Sequence, residues 1–119
     1  MLVNRDDVVN YVTRNYEVKP DYPWQNFPHF ATLRHNKNKK WFGLIMNITE
    51  DKLGLKSFEE VDVLNVKVDK AFIGPLTKKK GIYKAYHMNK TTWITINLRE
   101  ISNLHYITNL IDESFELTV

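Results

Sequence analysis

Five segments with the apolar alternation of β-strands dominate this sequence and constrain its fold more than any other feature. They span residues 30–35, 41–48, 61–68, 82–88 and 92–98. The links at 36–40 and 89–90 are short and consist of asparagine and lysine, which is typical of hairpin turns. Runs of strands with short connections favour an antiparallel sheet with helices packed on one face.

Helical spacing of apolar residues occurs on either side of these strands. The first helix is predicted over 5–16, with Asn4 as its N-cap. A last helix is predicted to begin after Ser102 or Asn103, and a short one is predicted over 70–78. The predicted order is therefore α-β-β-β-α-β-β-α, an α+β fold in one domain that covers residues 1–119.

The second and third strand segments differ in how their apolar residues alternate. In segment 41–48, one face is predicted to carry Phe42, Leu44, Met46 and Ile48. In segment 61–68, Val61 and Val63 are out of phase with the later apolar residues. This segment therefore predicts either a bulge or burial on both faces of the sheet.

The composition supports a packed core and narrows the chemistry. Of the 119 residues, 43% are hydrophobic and none is cysteine, which excludes thiolate catalysis, cysteine-based zinc sites and disulfides. The N-terminal residues lack the pattern of a secretory signal, and no apolar stretch approaches the roughly 18 residues of a membrane span. We therefore expect a cytoplasmic protein with no membrane partner.

Positive charge is concentrated in the middle of the chain. The net charge is +3, but residues 34–90 carry thirteen basic and six acidic side chains, a net charge of +7. Because a surface of one sign attracts polyanions, this asymmetry predicts a partner such as DNA.

Two groups of basic residues account for most of this charge, one at the link 36–40 and one around the segment 82–88. The predicted DNA-contacting residues are Arg34, Lys37, Lys39, Lys40, Lys78, Lys79, Lys80, Lys84 and Lys90. Lysine neutralises phosphates without reading bases, so binding is expected to depend strongly on salt and little on sequence. The alternative is that these lysines are solvated loop residues. A shared site requires the two groups to lie together.

Aromatic side chains predict a second candidate site, a groove or pocket formed by Trp41, Tyr83, Tyr86, His87, Asn89 and Trp93. Trp41 and Trp93 are out of phase with the main apolar sets of their strands. Such rings would bind a peptide or protein, or stack on bases, and His87 would serve as an acid–base group for a small molecule. The alternatives are core packing for the tryptophans and a structural turn around Asn89.

The remaining motifs do not favour an enzyme. The four histidines lack the spacing of a zinc site. The adjacent pairs Asp6 with Asp7 and Glu59 with Glu60 do not share a face, as an acid–base couple should. The four glycines form no phosphate-binding loop. We therefore expect a binding module with no catalytic residue, no metal and no cofactor.

Several segments together resemble the MmcQ/YjbR proteins, and the resemblance covers nearly the whole chain. They are KPDYPW at 19–24, RH at 34–35 leading to KWFGLIM at 40–46, VLNVK at 63–67, GIYKAYHMNK at 81–90 followed by TW at 92–93, and LIDESFEL at 110–117. The most specific part is AYHMNK at 85–90 together with Trp93.

This resemblance implies a two-layer α+β fold with a five-stranded antiparallel sheet, similar to that of secretion chaperones. Such proteins are commonly labelled DNA-binding because they look like the double-wing domain of a phage transcription factor. The resemblance implies no catalytic residue. We accordingly expect a DNA-binding module, with a protein- or peptide-binding module as the alternative.

Overall fold

The computed structural model describes residues 2–119 and has the predicted order of elements. Its helices are α1 (Arg5–Tyr16), α2 (Ile73–Thr77) and α3 (His105–Leu117), and its strands are β1 (Ala31–Arg34), β2 (Trp41–Thr49), β3 (Glu60–Lys67), β4 (Ile82–Lys84) and β5 (Trp93–Asn97). The strands pair antiparallel in the order β1-β2-β3-β5-β4. The predicted α+β fold with a five-stranded antiparallel sheet is therefore confirmed.

Helix α1 begins at a capping box. The side chain of Asn4 accepts a hydrogen bond from the Asp7 amide at 2.9 Å, and the Asp7 carboxylate accepts one from the Asn4 amide at 3.0 Å. Two backbone donors that have no partner within the helix are thereby satisfied. The helix ends at Tyr16, because Glu17 adopts a left-handed conformation.

Helices α1 and α3 cover one face of the sheet and close the larger hydrophobic core. The Asp112 carboxylate on α3 accepts hydrogen bonds from Tyr11, at 2.7 Å, and from Tyr16, both on α1. Burial and this carboxylate raise the pKa of Tyr11 to about 12. The start of α3 is held by Asn103, whose side chain accepts from the His105 amide at 2.9 Å. This layer is tightly joined and leaves the opposite face of the sheet to loops.

The opposite face carries a second, smaller core formed by Leu44, Met46, Ile48, Val61 and Val63. No helix of α1–α3 covers it; its partly buried neighbours are mostly loop side chains. The two valines lie on this face, whereas the later apolar residues of β3 lie in the helix-side core. Burial of β3 on both faces is thus confirmed, and it explains the phase change in the sequence.

The prediction that Phe42 shares a face with Leu44 is wrong. Arg34 pairs with Trp41 and Leu33 pairs with Gly43, so Phe42 is the extra residue of a β-bulge. The bulge turns Phe42 into the helix-side core. A Cβ on Gly43 would lie 2.8 Å from the Cδ1 atom of Leu33, so the glycine leaves room for the Leu33 side chain.

The fourth strand was predicted over 82–88 but ends at Lys84. Beyond Lys84, hydrogen bonds from side chains take the place of the backbone hydrogen bonds between β4 and β5. The Tyr86 amide donates to Thr95 Oγ1 at 2.9 Å, and Asn65 Nδ2 donates to the Tyr86 carbonyl at 2.9 Å. The Thr95 hydroxyl in turn donates to Asn65 Oδ1. His87 then adopts a left-handed conformation with φ of 64°. The segment after Lys84 therefore turns over the loop-covered face.

Candidate functional site

Six lysines line a surface cleft of about 640 Å³ beside β4, the strand at one edge of the sheet. They are Lys52, Lys78, Lys79, Lys80, Lys84 and Lys90. Among the lining residues that the structure describes, Glu100 is the single carboxylate. We call this surface the lysine cleft.

The lysines at 78–80 lie on the turn that joins α2 to β4, and this turn is anchored at its end. Gly81 has φ of 85°, and a Cβ there would lie 2.8 Å from the Cδ1 atom of Ile101. The Gly81 carbonyl accepts a hydrogen bond from the Asn97 amide at 2.8 Å, and the next side chain, Ile82, is buried. An ordered backbone therefore presents three exposed ammonium groups in succession.

The charge of the lysine cleft has few internal partners. Lys52 pairs with Asp51 at 3.7 Å, whereas the other five lysines are exposed and form no salt bridge within residues 2–119. Glu100 accepts hydrogen bonds from the Tyr83 hydroxyl and, at 3.1 Å, from Asn97 Nδ2. Burial, followed by the bond to Glu100 and its charge, raises the pKa of Tyr83. The carboxylate is thus already engaged, and the lysines remain available to an external anion.

The second predicted group of basic residues, at the β1–β2 hairpin, lies elsewhere. β1 and β4 form opposite edges of the sheet, which are separated by four strand spacings, or about 19 Å. β4 starts opposite Ile96, whereas the hairpin lies at the other end of the strands, where Lys67 pairs with Trp93. The hairpin and the turn at 78–80 therefore occupy diagonally opposite corners, and the two groups do not lie together.

The hairpin also has acidic neighbours. Arg34 Nε lies 3.4 Å from a carboxylate oxygen of Asp21, and Glu17 and Asp21 line the same depression as Lys39. Side-chain amides fix the hairpin to the helix layer, since Asn38 Nδ2 donates to the Thr118 carbonyl at 3.3 Å. Its lysines, Lys37, Lys39 and Lys40, are exposed. This group is a charged hairpin tip whose positive field is reduced by nearby carboxylates.

A second cavity, of about 580 Å³, lies on the loop-covered face of the sheet. Its floor is β2, and its walls come from the loop before β1 and from the segment after β4. Its apolar lining residues are Trp24, Phe27, Phe30, Trp41, Leu44, Met46, Ile48, Tyr86 and Met88. We call this cavity the aromatic groove.

The rings of the aromatic groove are held at fixed angles to one another. The ring of Trp24 lies edge-on to Trp41, with centroids 5.7 Å apart, and edge-on to Phe30 at 6.3 Å. Phe27 stacks on Phe30 at 4.8 Å. The charged and titratable groups of the lining, in the part of the chain that the structure describes, are Lys52, Tyr86 and His87, with no carboxylate. The groove therefore favours flat apolar groups that carry no positive charge.

Three of the residues predicted for a groove line this cavity: Trp41, Tyr86 and His87. The other three do not. Tyr83 lies in the lysine cleft, and Trp93 is buried on β5. The Asn89 side chain closes the turn by accepting from the Thr91 amide at 2.9 Å.

Sequence reasoning missed Trp24, Phe27 and Phe30 as groove residues. They belong to the proline-containing segment before β1, whose position over the sheet is fixed by the pairing of Asp21 with Thr32. A dense run of aromatic residues in a segment that cannot be helical was the available signal. It indicates a covering loop but does not say which face is covered.

His87 is exposed and lies over the Tyr86 ring, with centroids 3.9 Å apart. Within residues 2–119 its imidazole has no hydrogen-bond partner, and the groove supplies no carboxylate to orient it. With the Tyr86 ring it forms an aromatic rim of the groove.

Residues 2–119 lack two further features. No group of three or more histidine, aspartate or glutamate side chains is placed to hold a metal ion. No helix combines the length and the apolar character needed to cross a bilayer.

The sequence and the fold have clear relatives. The YjbR family model matches residues 14–117. Protein YyaQ of Bacillus subtilis is 43% identical over 117 residues, which cover 98% of this chain and 99% of the relative. A crystal structure of a Pseudomonas syringae protein is 44% identical, with a TM-score of 0.95 over 98% of this chain and all of the other.

A more distant structure shares the fold alone. A Deinococcus radiodurans protein is 16% identical and has a TM-score of 0.71, over 98% of this chain and 78% of that one. The match of the family model to most of the chain and the full-length relative agree with the resemblance read from the motifs. The chain belongs to the YjbR family.

Proposed function

We propose that this protein is a non-enzymatic nucleic-acid-binding module that holds the phosphate backbone in its lysine cleft. The observation that carries the proposal is the concentration of six lysines against one hydrogen-bonded carboxylate in a single concave surface. A concave surface lined by one sign of charge focuses its field and raises the local concentration of an anionic ligand.

The basic residues of the lysine cleft are lysines, which favours contact with the phosphate backbone over recognition of individual bases. The lining of the lysine cleft holds no arginine among the described residues, and arginine is the side chain that pairs bidentately with guanine. Lysine acts as a point charge and tolerates any arrangement of phosphates. The proposed binding is consequently insensitive to sequence. A cytoplasmic location, where such ligands are abundant, is part of this proposal.

The proposal is tested by measuring affinity for a fluorescently labelled oligonucleotide of random sequence as salt is varied. If about five lysines contact phosphates, the slope of log affinity against log salt is expected to be about −4, with a per-contact value between −0.7 and −0.9. The control is an oligomer of the same sequence with an uncharged backbone, which is expected not to bind. Equal binding of the control, or a flat salt dependence, would contradict the proposal.

A protein- or peptide-binding module is the second candidate, and the aromatic groove is the observation that favours it. The groove is apolar and has the size of a typical ligand site. A peptide held there by its apolar side chains would bind with little salt dependence, because its affinity would come from buried apolar area. The salt titration therefore separates the two candidates.

A further inference from the structure

The aromatic groove and the lysine cleft are adjacent surfaces. Lys52 and Tyr86 line both cavities, so a ligand that occupies one cavity reaches the other across these two side chains. Lys52 is half-exposed and follows β2, whereas Tyr86 is fixed by its backbone bonds to Asn65 and Thr95. The boundary between the cavities is thus formed by one cation and one aromatic ring.

The two cavities have complementary chemistry. The lysine cleft offers ammonium groups and few aromatic side chains. Among its described lining residues, the aromatic ones are Tyr83 and Tyr86. The aromatic groove offers the rings of Trp24, Trp41 and Phe27, and its described lining has no carboxylate. A ligand that satisfies both must carry flat apolar groups on a chain of negative charge.

An unpaired nucleotide has this combination, whereas a duplex does not. In a duplex the base faces are stacked on each other inside the helix, so only phosphates and groove edges are accessible. In a single strand each base exposes a face that stacks on an aromatic side chain, while the neighbouring phosphates bind a basic surface. Stacking tolerates every base, which agrees with the lack of base-reading arginines in the cleft.

We propose that the aromatic groove receives unpaired bases of the strand whose phosphates lie in the lysine cleft, so that the ligand is single-stranded nucleic acid. This inference rests on the proposed function and specifies its ligand. Charge complementarity selects this occupant over a neutral or basic peptide, since the groove opens directly onto the lysine cleft through Lys52.

The test compares three probes of equal length, about fifteen nucleotides, so that the duplex stays paired while the length remains within the span that single-strand-binding domains contact. They are a thymidine oligomer, a duplex, and an abasic oligomer that keeps the sugar-phosphate backbone but lacks bases. We expect the thymidine oligomer to bind about 5-fold or more tightly than either of the others, because one stacked base contributes at least about that factor.

Two variants assign this difference to the groove. Trp41→Ala removes an aromatic ring from the floor of the groove, and Phe27→Ala removes a ring that is 53% exposed. The second variant keeps the test valid where the first unfolds the protein. Each is expected to weaken the thymidine oligomer about 10-fold and to leave the abasic oligomer unchanged. Tyr106→Ala is the control, because Tyr106 is an exposed aromatic residue of α3 in the helix layer.

The outcomes separate the inference from the proposed function. Equal or tighter binding of the duplex, or groove variants that bind every probe like the unaltered protein, would overturn the inference while leaving phosphate binding in place. The groove would then serve a peptide or another apolar ligand. Failure of all three probes to bind at low salt would overturn the proposed function itself.

Discussion

The two lysine groups have similar charge and different surroundings. In the lysine cleft, five exposed lysines without salt bridges share a concave surface with one carboxylate that is already hydrogen-bonded. At the hairpin, Arg34 pairs with Asp21, and Glu17 lies in the same depression as Lys39. The number of lysines in a sequence segment therefore does not locate an anion site. An anion site is located by lysines that converge on one surface where few carboxylates offset their charge.

Reversing the charge of each group in turn gives the largest expected difference. Changing Lys78, Lys79 and Lys80 to Glu is expected to weaken oligonucleotide binding about 100-fold, since three exposed ion pairs of up to about 1 kcal/mol each are lost and repulsion is added. The matched variant changes Lys37, Lys39 and Lys40 to Glu and is expected to weaken binding less than about 5-fold, through net charge alone. Fluorescence anisotropy measures both.

These paired variants carry the same change in net charge and differ in position alone. Circular dichroism establishes that each remains folded, as expected for exposed residues. Equal losses in the two variants would mean that the protein attracts nucleic acid by its overall charge, and the comparison between the two groups would have no functional meaning.

A smaller effect is expected from Glu100→Gln, which removes the single carboxylate of the lysine cleft. Affinity is expected to rise about 3-fold, because one repulsive interaction at the surface is lost. The pKa of Tyr83 is expected to fall, since the charge of Glu100 is among the causes that raise it. Glu113→Gln, on α3 in the helix layer, is the matched control and is expected to change neither quantity.

The tyrosine titration is followed by NMR of labelled tyrosine, with Tyr83→Phe to assign the signal. An unchanged pKa of Tyr83 in Glu100→Gln would show that the pair seen in the structure does not form in solution. The charge of the cleft would then require a different description, with Glu100 free to bind one of the lysines.

The sequence predicted the fold well because its signals are local. The N-cap at Asn4 and the alternation in β2 and β3 each depend on neighbouring residues. The prediction of the face on which Phe42 lies was wrong because a β-bulge reverses the side-chain alternation. A bulge depends on how two strands pair. The predicted end of β4 was wrong because the side chains of Asn65 and Thr95, which are distant in sequence, bind the backbone of Tyr86.

The candidate site was predicted in its parts and not in its arrangement. All the lysines of the cleft except Lys52 were identified as candidates, but sequence spacing could not show that the hairpin lies at the opposite corner of the sheet. For the groove, Trp41 and Tyr86 were identified, whereas Trp24 was assigned no site because nothing local fixes a loop onto one face. Strand order decides the first question, and the pairing of Asp21 with Thr32 decides the second. Both are long-range properties.

A map of the bound surface shows whether the ligand lies in the lysine cleft. A single-stranded oligonucleotide is titrated into labelled protein, and the backbone amide signals are followed by NMR. Binding in the lysine cleft predicts large shifts for residues 78–84 and for Lys90, and small ones for residues 36–40. Large shifts confined to 36–40, with 78–84 unchanged, would contradict it.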